Sequence, residues 1–476
     1  MDAIEQLTQW TLGADAASVP MRAMQPVGHE GRVLRATRPI ASFETVVKVR
    51  AETLLSASAA KRTPTLVPFL RIVFGSVSVG AGGGVAVDGL MDHFDDHLAL
   101  CLLIMHAKKC PEDTSFTPYV AALPSAFSNL LCLPSDTLHR IIGTHVEAVV
   151  NSERDQMILV LNHVLLPAVR ALPGVICSTE EAALPDDELR LILWDSLMWA
   201  HAAVASRAFS FRLDSEQSEV FCVPFADLAN HSNNPNLVVK GVDPESRTLI
   251  VKAKRDIMAG EELTIAYHDN SPNWFLLTHY GFAIEGNPEE RVDVAFDDGS
   301  EDETESAAQL RARKDSLIQA ASENLDLKLG REHEFGPIPS SDGGTSNKGS
   351  NPDASQSTSA ASGISEALIY SLRLLVANDG DLKVLTAETV GTRIKSPLSR
   401  ENEANVYQTI SLMAQALLDM FPTTLEDDLE RQAQPDAGGD ERYILVYLIG
   451  QKRILRTAFD FCKRNQDMWH MVWKAV

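Results

Sequence analysis

Apolar residues recur at helical spacing from Ala3 through Trp10, which predicts a short amphipathic helix at the start of the chain. Alternation takes over next. Arg32-Val33-Leu34-Arg35-Ala36 reads as a strand, Pro39 breaks it, and Glu44-Thr45-Val46-Val47-Lys48-Val49 reads as a second, together the pattern of a hairpin. From about Phe94 to Ser210 the apolar spacing returns to three and four, through Leu98–Leu103 and again through Met157–Val169, so a helical block follows. Strand patterns reappear at Val220–Pro224, Asn236–Val239, Thr248–Val251 and Glu262–Tyr267, separated by turn residues, and predict a small antiparallel β region. Beyond Asn287 lie four stretches with an apolar stripe: Ala308–Leu329, Ile364–Ala377, Arg400–Met420 and Glu441–Arg464. They predict an all-α C-terminal domain.

Composition adds boundaries to this pattern. At 476 residues the chain exceeds what one core usually serves. The acidic run Asp297–Glu305 and the Ser, Gly, Asn and Asp-rich stretch Ser340–Gly363 are expected to be disordered. Gly80, Gly82, Gly83 and Gly84 suggest a phosphate cradle, but they fit neither G-x-G-x-x-G nor a P-loop and read as a flexible loop. No apolar run approaches the ~18 residues of a membrane span, and the first residues lack a secretory pattern, so a cytoplasmic or nuclear address and no membrane partner are expected. The six cysteines form no C-x-x-C pair, and no Cys/His cluster stands at zinc-ligand spacing, so no metal is expected. With 65 acidic against 42 basic residues the net charge is -23, which disfavours nucleic acid and favours a protein partner with a basic segment.

The polar residues that gather at strand ends carry the candidate chemistry. Asp227-Leu228-Ala229-Asn230-His231-Ser232 follows an apolar strand; Asn offers an amide donor and a carbonyl acceptor, and a neutral His one of each, so the pair can hold a many-sided ligand. An Asx turn capping the strand is the alternative. Downstream, Ile257–Tyr267 is a turn around Gly260 that feeds a strand, and Tyr280-Gly281-Phe282 closes a helix-like stretch from Pro272. There is no G-x-S-x-G elbow, no H-E-x-x-H and no Rossmann glycine pattern to suggest a hydrolase or a nucleotide enzyme.

Taken in order, D-x-x-N-H-S, then D-I-x-A-G-E-E-L-x-I-x-Y, then Y-G-F resembles the core of the SET-domain protein methyltransferases. Ser206-Arg207-Ala208-Phe209, and Ser115–Tyr119 followed by Leu123-Pro124, are similar to the Rubisco large-subunit methyltransferase-like branch. The resemblance implies an α+β chain: an N-terminal helix (1–24), a mostly β SET domain (25–93 and 206–286) with a helical insert (94–205), and an all-α substrate-binding domain (287–476) with a disordered loop at about 336–363.

It also implies S-adenosylmethionine as cofactor, held by Glu30, Gly31, Arg32, Arg207, Asn230, His231, Tyr267 and Phe282, with Arg207 facing the methionine carboxylate. Tyr280 would be catalytic, and Phe209, Asp227, Tyr267 and Tyr280 would line the substrate channel; a buried core role is the alternative for each aromatic. Glu30-Gly31-Arg32-Val33-Leu34-Arg35-Ala36 keeps the first glycine of the family's entry segment but has Val33 in place of the second, and a β-branched residue restricts close backbone approach.

The implied reaction is lysine N-methylation of a non-histone protein by a monomer. It needs a neutral amine, and deprotonating a lysine at neutral pH costs about 4 to 5 kcal/mol; in-line transfer itself needs no metal and no covalent intermediate. Histidine as acceptor and a SET-like scaffold without catalysis are the alternatives. Tyr280 points to lysine, because the histidine-directed relatives lack the Tyr of the Y-G-F triplet.

Overall fold

The computed structural model describes residues 2–13, 16, 19–24, 32–78, 91–212, 218–243, 247–296, 305–336 and 363–471. The glycine-rich loop at 80–84, most of the acidic run and most of the Ser-rich stretch fall outside these residues, as do Glu30 and Gly31. The chain divides into two compact units, the first comprising 1–135, 148–270 and 278–281, the second 136–147, 271–277 and 282–476.

The first unit opens with helix α1, Ala3–Leu12, whose start is fixed by a capping box: the Asp2 carboxylate accepts from the Glu5 N–H while Glu5 reaches back to the Asp2 N–H. Strand β1, Met21–Met24, follows within the stretch 1–24 expected to be an N-terminal helix, and it pairs antiparallel with β2, Val33–Ala36. Strand β3, Thr45–Arg50, does not pair with β2. The expected hairpin is therefore absent: β3 joins the sheet β3-β9-β8, in which β8 is Leu237–Asp243 and β9 is Thr248–Ala253. Alternation in the sequence correctly marks the buried face of β3 at Val47 and Val49, against exposed Lys48 and Arg50, while Val46 is buried out of phase at a bulge; but a face has no memory of which edge it will meet.

A second small sheet is β4-β6-β5, built from Leu55–Ser56, Glu219–Cys222 and Ala208–Phe211. A third pairs β7, Asn230–His231, with β10, Thr264–Ile265, and this pair is parallel, contrary to the expected all-antiparallel region. Parallel neighbours need a crossover instead of a tight turn, and the β8–β9 hairpin supplies it.

Between these strands run helices α2 (Val67–Ser78), α3 (Met91–Lys109), α4 (Thr117–Ala122), α5 (His145–Val160) and α6 (Asp186–Arg207). Leu98 through Met105 of α3 are buried all round, as are Leu189, Leu193, Leu197 and Ala200 to Val204 along α6, so both helices form the centre of the insert. Helix α7, Asn273–Tyr280, ends in this unit at Thr278–Gly281.

The second unit is mostly helical. Helices α8 (Glu305–Leu325), α9 (Glu366–Leu375), α10 (Arg400–Met420) and α11 (Asp440–Met471) contribute Leu317, Ala321, Leu368, Leu372, Val406, Ile410, Leu455 and Ala458 to one core. It is not all helix: β11, Val292–Ala295, pairs antiparallel with β12, Glu332–Phe335. The helical periodicity on either side hid these short strands from sequence reading. Inside the core the Arg373 guanidinium meets the Glu403 carboxylate through two bonds of 2.7 Å with both groups under a tenth exposed, a fork-to-fork pairing that satisfies two buried charges at once.

Candidate active site

The site is assembled where β7 meets β10. Residues 223–229 approach it through a short 3-10 turn, Ala226–Leu228, entered at Phe225, whose φ of 71° is unusual for a bulky residue and marks a forced reversal of the chain. That reversal buries Asp227. Its Oδ2 accepts a 2.6 Å hydrogen bond from the hydroxyl of Tyr119 on α4, and its main-chain carbonyl accepts a 2.9 Å bond from Nη1 of Arg207, the last residue of α6. Burial pushes the Asp227 carboxyl up, while the nearby Arg207 guanidinium opposes the shift. Asp227 was expected in the substrate channel; in the structure it is 7 % exposed and ties the helical insert to the Asn230 strand.

Arg207 has a second side to its geometry. Its Nε is buried without a hydrogen-bond partner, as is Oδ1 of Asp227, and its guanidinium lies 6.0 Å from the ring centre of Phe127. Arg32 stands close enough that the Arg207 charge depresses its pKa, after the larger effect of burial, and its Nη1 donates to the Ala122 carbonyl at 2.7 Å. Two guanidinium groups in mutual repulsion, one of them with a free buried N–H, make a place that an anionic group would stabilise.

Asn230 and His231 are fixed from several sides. The Asn230 amide donates to Oε1 of Glu262 at 2.8 Å, and Ser232 N–H donates to the Ile265 carbonyl at 2.9 Å. Tyr267 N–H donates to Nδ1 of His231 at 3.2 Å, so that nitrogen carries no proton, and Nε2 then donates to Oδ1 of Asn233 at 2.9 Å. Burial lowers the His231 pKa and keeps the ring neutral. Both ring nitrogens are engaged within the protein, which makes the ring a brace for the β7–β10 pair. Asn236 clamps the same pair by accepting from Thr264 N–H and donating to the Glu262 carbonyl, 2.8 and 2.7 Å.

Tyr267 and Tyr280 complete the centre. The Tyr267 hydroxyl donates to the Ala229 carbonyl at 3.1 Å, and its ring lies against that of Tyr280 with centroids 4.5 Å apart. Burial raises both phenols, Tyr280 to about 12. Tyr280 is held by its neighbours in sequence: Asn129, 1 % exposed, donates its amide to the His279 carbonyl, and Gly281 at φ 77° brings its backbone against Ser128, where an added Cβ would stand 2.5 Å from the Ser128 carbonyl carbon. Only glycine fits there.

The remaining expected residues are spread more widely. Phe209 lies in β5, half-buried, opposite Phe221, and Phe282 belongs to the second compact unit. Val33 is 3 % exposed within the β1–β2 pair, so its bulk is packed into the core. Tyr119 as an anchor, Asn129 and Glu262 were not anticipated as site residues; polar side chains buried by a partner far along the chain leave no local signal. A cavity of about 320 Å³ in the insert, lined by Phe127, Arg154, Trp194, Met198 and Trp199 among others, was equally invisible. Lys108 Nζ sits 3.5 Å from the Trp199 ring centre beside it.

The SET-domain model matches residues 31–268, and the Rubisco LSMT substrate-binding model matches residues 305–455. The chain belongs to the SET-domain family of protein methyltransferases, which use S-adenosylmethionine, and it carries that branch's C-terminal domain. Among relatives of established name, it is 22 % identical to an actin-histidine N-methyltransferase of Rattus norvegicus over 493 aligned residues, covering all of this chain and 71 % of the relative. It is 25 % identical to the chloroplastic [fructose-bisphosphate aldolase]-lysine N-methyltransferase of Arabidopsis thaliana, over 74 % of this chain and 66 % of that one. Its fold matches the structure of Rubisco LSMT bound to AdoMet with a TM-score of 0.64 at 18 % identity, covering 98 % of this chain and 93 % of the other.

The described residues fit the family's cofactor. A methionine carboxylate is the kind of anion that the free Arg207 Nε and the repelled Arg32–Arg207 pair would stabilise, and no other described side chain answers that buried N–H.

Proposed function

We propose that this chain methylates a lysine side chain of a non-histone protein. Arg207 and Arg32 hold the carboxylate of S-adenosylmethionine, the Asn230–His231 strand gives the cofactor its wall, and Tyr280 faces the reacting atoms. The cofactor supplies an electrophilic methyl group on a sulfonium. This chain's residues would hold the amine, its proton already passed to solvent, in line with that methyl group, so that a nitrogen–carbon bond could form as the carbon–sulfur bond breaks and its electron pair stays on sulfur.

The observation that carries the reading is the stacked Tyr267–Tyr280 pair, both phenols held in the protonated form by burial. A phenol that stays neutral can accept a hydrogen bond from an amine N–H without holding the amine as a cation, and a desolvated wall of two rings favours the uncharged nucleophile. Holding that amine in line contributes far more than proton removal costs, roughly 7 to 11 kcal/mol in well-oriented systems. The net charge of -23 supports a target whose acceptor lies in a basic segment.

Histidine is the second reading, favoured by the actin-histidine relatives that match along the whole chain. The two are separated by incubating the purified chain and heavy-methyl S-adenosylmethionine with cell extract, and with purified actin and aldolase, then locating the label by tandem mass spectrometry. Label on lysine is expected; label on a histidine ring would replace this reading.

A further inference from the structure

The helical insert holds a cluster that the methyltransferase site does not use. His97 and Cys101 stand four residues apart on α3 and so share one face of that helix, and His201 reaches them from α6. His97 Nε2 and His201 Nδ1 share a 2.9 Å hydrogen bond, whose proton a shared cation would displace, and one ligand atom from each of His97, Cys101 and His201 lies within 4.8 Å of the other two. On the far side of the His201 ring, Nε2 is buried with no hydrogen-bond partner, and Oε2 of Glu153 on α5 stands 4.0 Å from it, buried and equally unpartnered.

We infer that His97, Cys101 and His201 form a binding site for a single thiophilic divalent cation of the zinc class, with Glu153 as the carboxylate that orients His201. Tetrahedral zinc holds nitrogen at about 2.0 to 2.1 Å and sulfur at about 2.3 Å, which sets the two nitrogens about 3.3 Å apart and the sulfur about 3.6 Å from each; the imidazoles part by about half an ångström, and a rotation of the Cys101 side chain closes up to about 1 Å.

The cation accounts for the orphaned pair. Metal on Nδ1 of His201 leaves its proton on Nε2, aimed at Glu153, which is the carboxylate–histidine–metal arrangement that fixes ring orientation and raises ligand basicity. Cys101 binds as a thiolate: the sulfur–metal bond forms as the S–H bond breaks, and the proton passes to solvent. The remaining positive charge is balanced by Glu153. Two histidines and one cysteine leave a fourth position for water or another small ligand. Because α6 ends at Arg207, a cation joining α3 to α6 would also stiffen the support of that guanidinium.

The test uses the full chain, stripped with a chelator and reloaded with Zn²⁺ or Co²⁺. Native mass spectrometry is expected to show about one tightly held metal per chain, and Co²⁺ is expected to give sulfur-to-cobalt charge-transfer absorption together with the visible bands of tetrahedral cobalt. Cys101→Ser and His97→Gln should abolish that absorption while circular dichroism stays unchanged. Glu153→Gln should keep the spectrum and weaken binding about 10- to 100-fold, and Cys110→Ser, away from the cluster, should change nothing. Loss of all metal on desalting, a cobalt spectrum without the sulfur band, or wild-type affinity in both Cys101→Ser and His97→Gln would overturn the assignment.

Discussion

The rings of Tyr267 and Tyr280 lie at 27° to one another, one carried past the end of β10 and the other on the last turn of α7. Their stacking sets the position of the Tyr280 hydroxyl through a residue that is itself hydrogen-bonded to Ala229. Tyr280→Phe should keep the stack and lose only the oxygen. Methyl transfer is expected to fall on the order of 10²-fold, the size seen when one oriented hydrogen-bonding group is removed from a reaction centre, with cofactor affinity by calorimetry unchanged. Since Tyr280 ionises only near 12, the rate should rise about tenfold per pH unit through neutrality with the acceptor amine's ionisation, in wild type and variant alike.

Arg207→Lys keeps the charge but removes the planar fork and the Nη1 bond to the Asp227 carbonyl. S-adenosylmethionine should bind about 10-fold more weakly, about 1.4 kcal/mol, in a calorimetric titration. Turnover at saturating cofactor should change much less. An unaltered dissociation constant would remove Arg207 from the cofactor site.

Two glycines with nearly the same dihedral should answer differently to alanine. Gly260, at φ 82°, has nothing within 4 Å of an added Cβ, so only the left-handed conformation is penalised, about 1 to 2 kcal/mol. Gly281, at φ 77°, would put the new carbon into the Ser128 carbonyl, and Gly281→Ala should lower the melting temperature distinctly more than Gly260→Ala. The same variant should lose activity through the displaced Tyr280.

In the second unit, burial raises the Glu290 carboxyl to about 7, partly offset by hydrogen bonds from Gln451 and Asn273. A folded pKa above the unfolded value means that the native state holds the proton more tightly. The stability this group contributes is therefore complete below about 4.5 and is lost as pH rises to about 7. Glu290→Gln should flatten that part of the stability profile, measured by denaturant unfolding at stepped pH. An unchanged slope would show that Glu290 ionises normally.

The family signature carried by neighbours in sequence was legible. Asn230-His231-Ser232, the Gly260 turn and Tyr280-Gly281-Phe282 each carry their residue types in fixed order, and the long apolar stripes of α3, α6, α10 and α11 announce helices. Pairing was not legible. The β2 alternation could not disclose that its partner is the four-residue β1, and the two-residue strands β7 and β10 are too short to reveal a parallel register. Buried polar contacts were hidden for a related reason: Tyr119 reaches Asp227 across 108 positions, and His97 meets His201 across 104. His97 and Cys101 share one face of α3, but two ligands make no site, and the third, His201, lies on another helix 104 positions from His97, which is why the pair by itself suggested nothing.

The bond from Asn129 to the His279 carbonyl spans 150 positions and carries a consequence for how the molecule is made. Loops of that length close slowly, and their contacts reward the chain only once both ends exist. A nascent chain on the ribosome can complete the insert helices and seat Arg207 against Asp227 early. It cannot orient Tyr280 until Gly281 has emerged and docked on Ser128, so on the proposed reading methyl transfer is expected only from chains that have grown past that point.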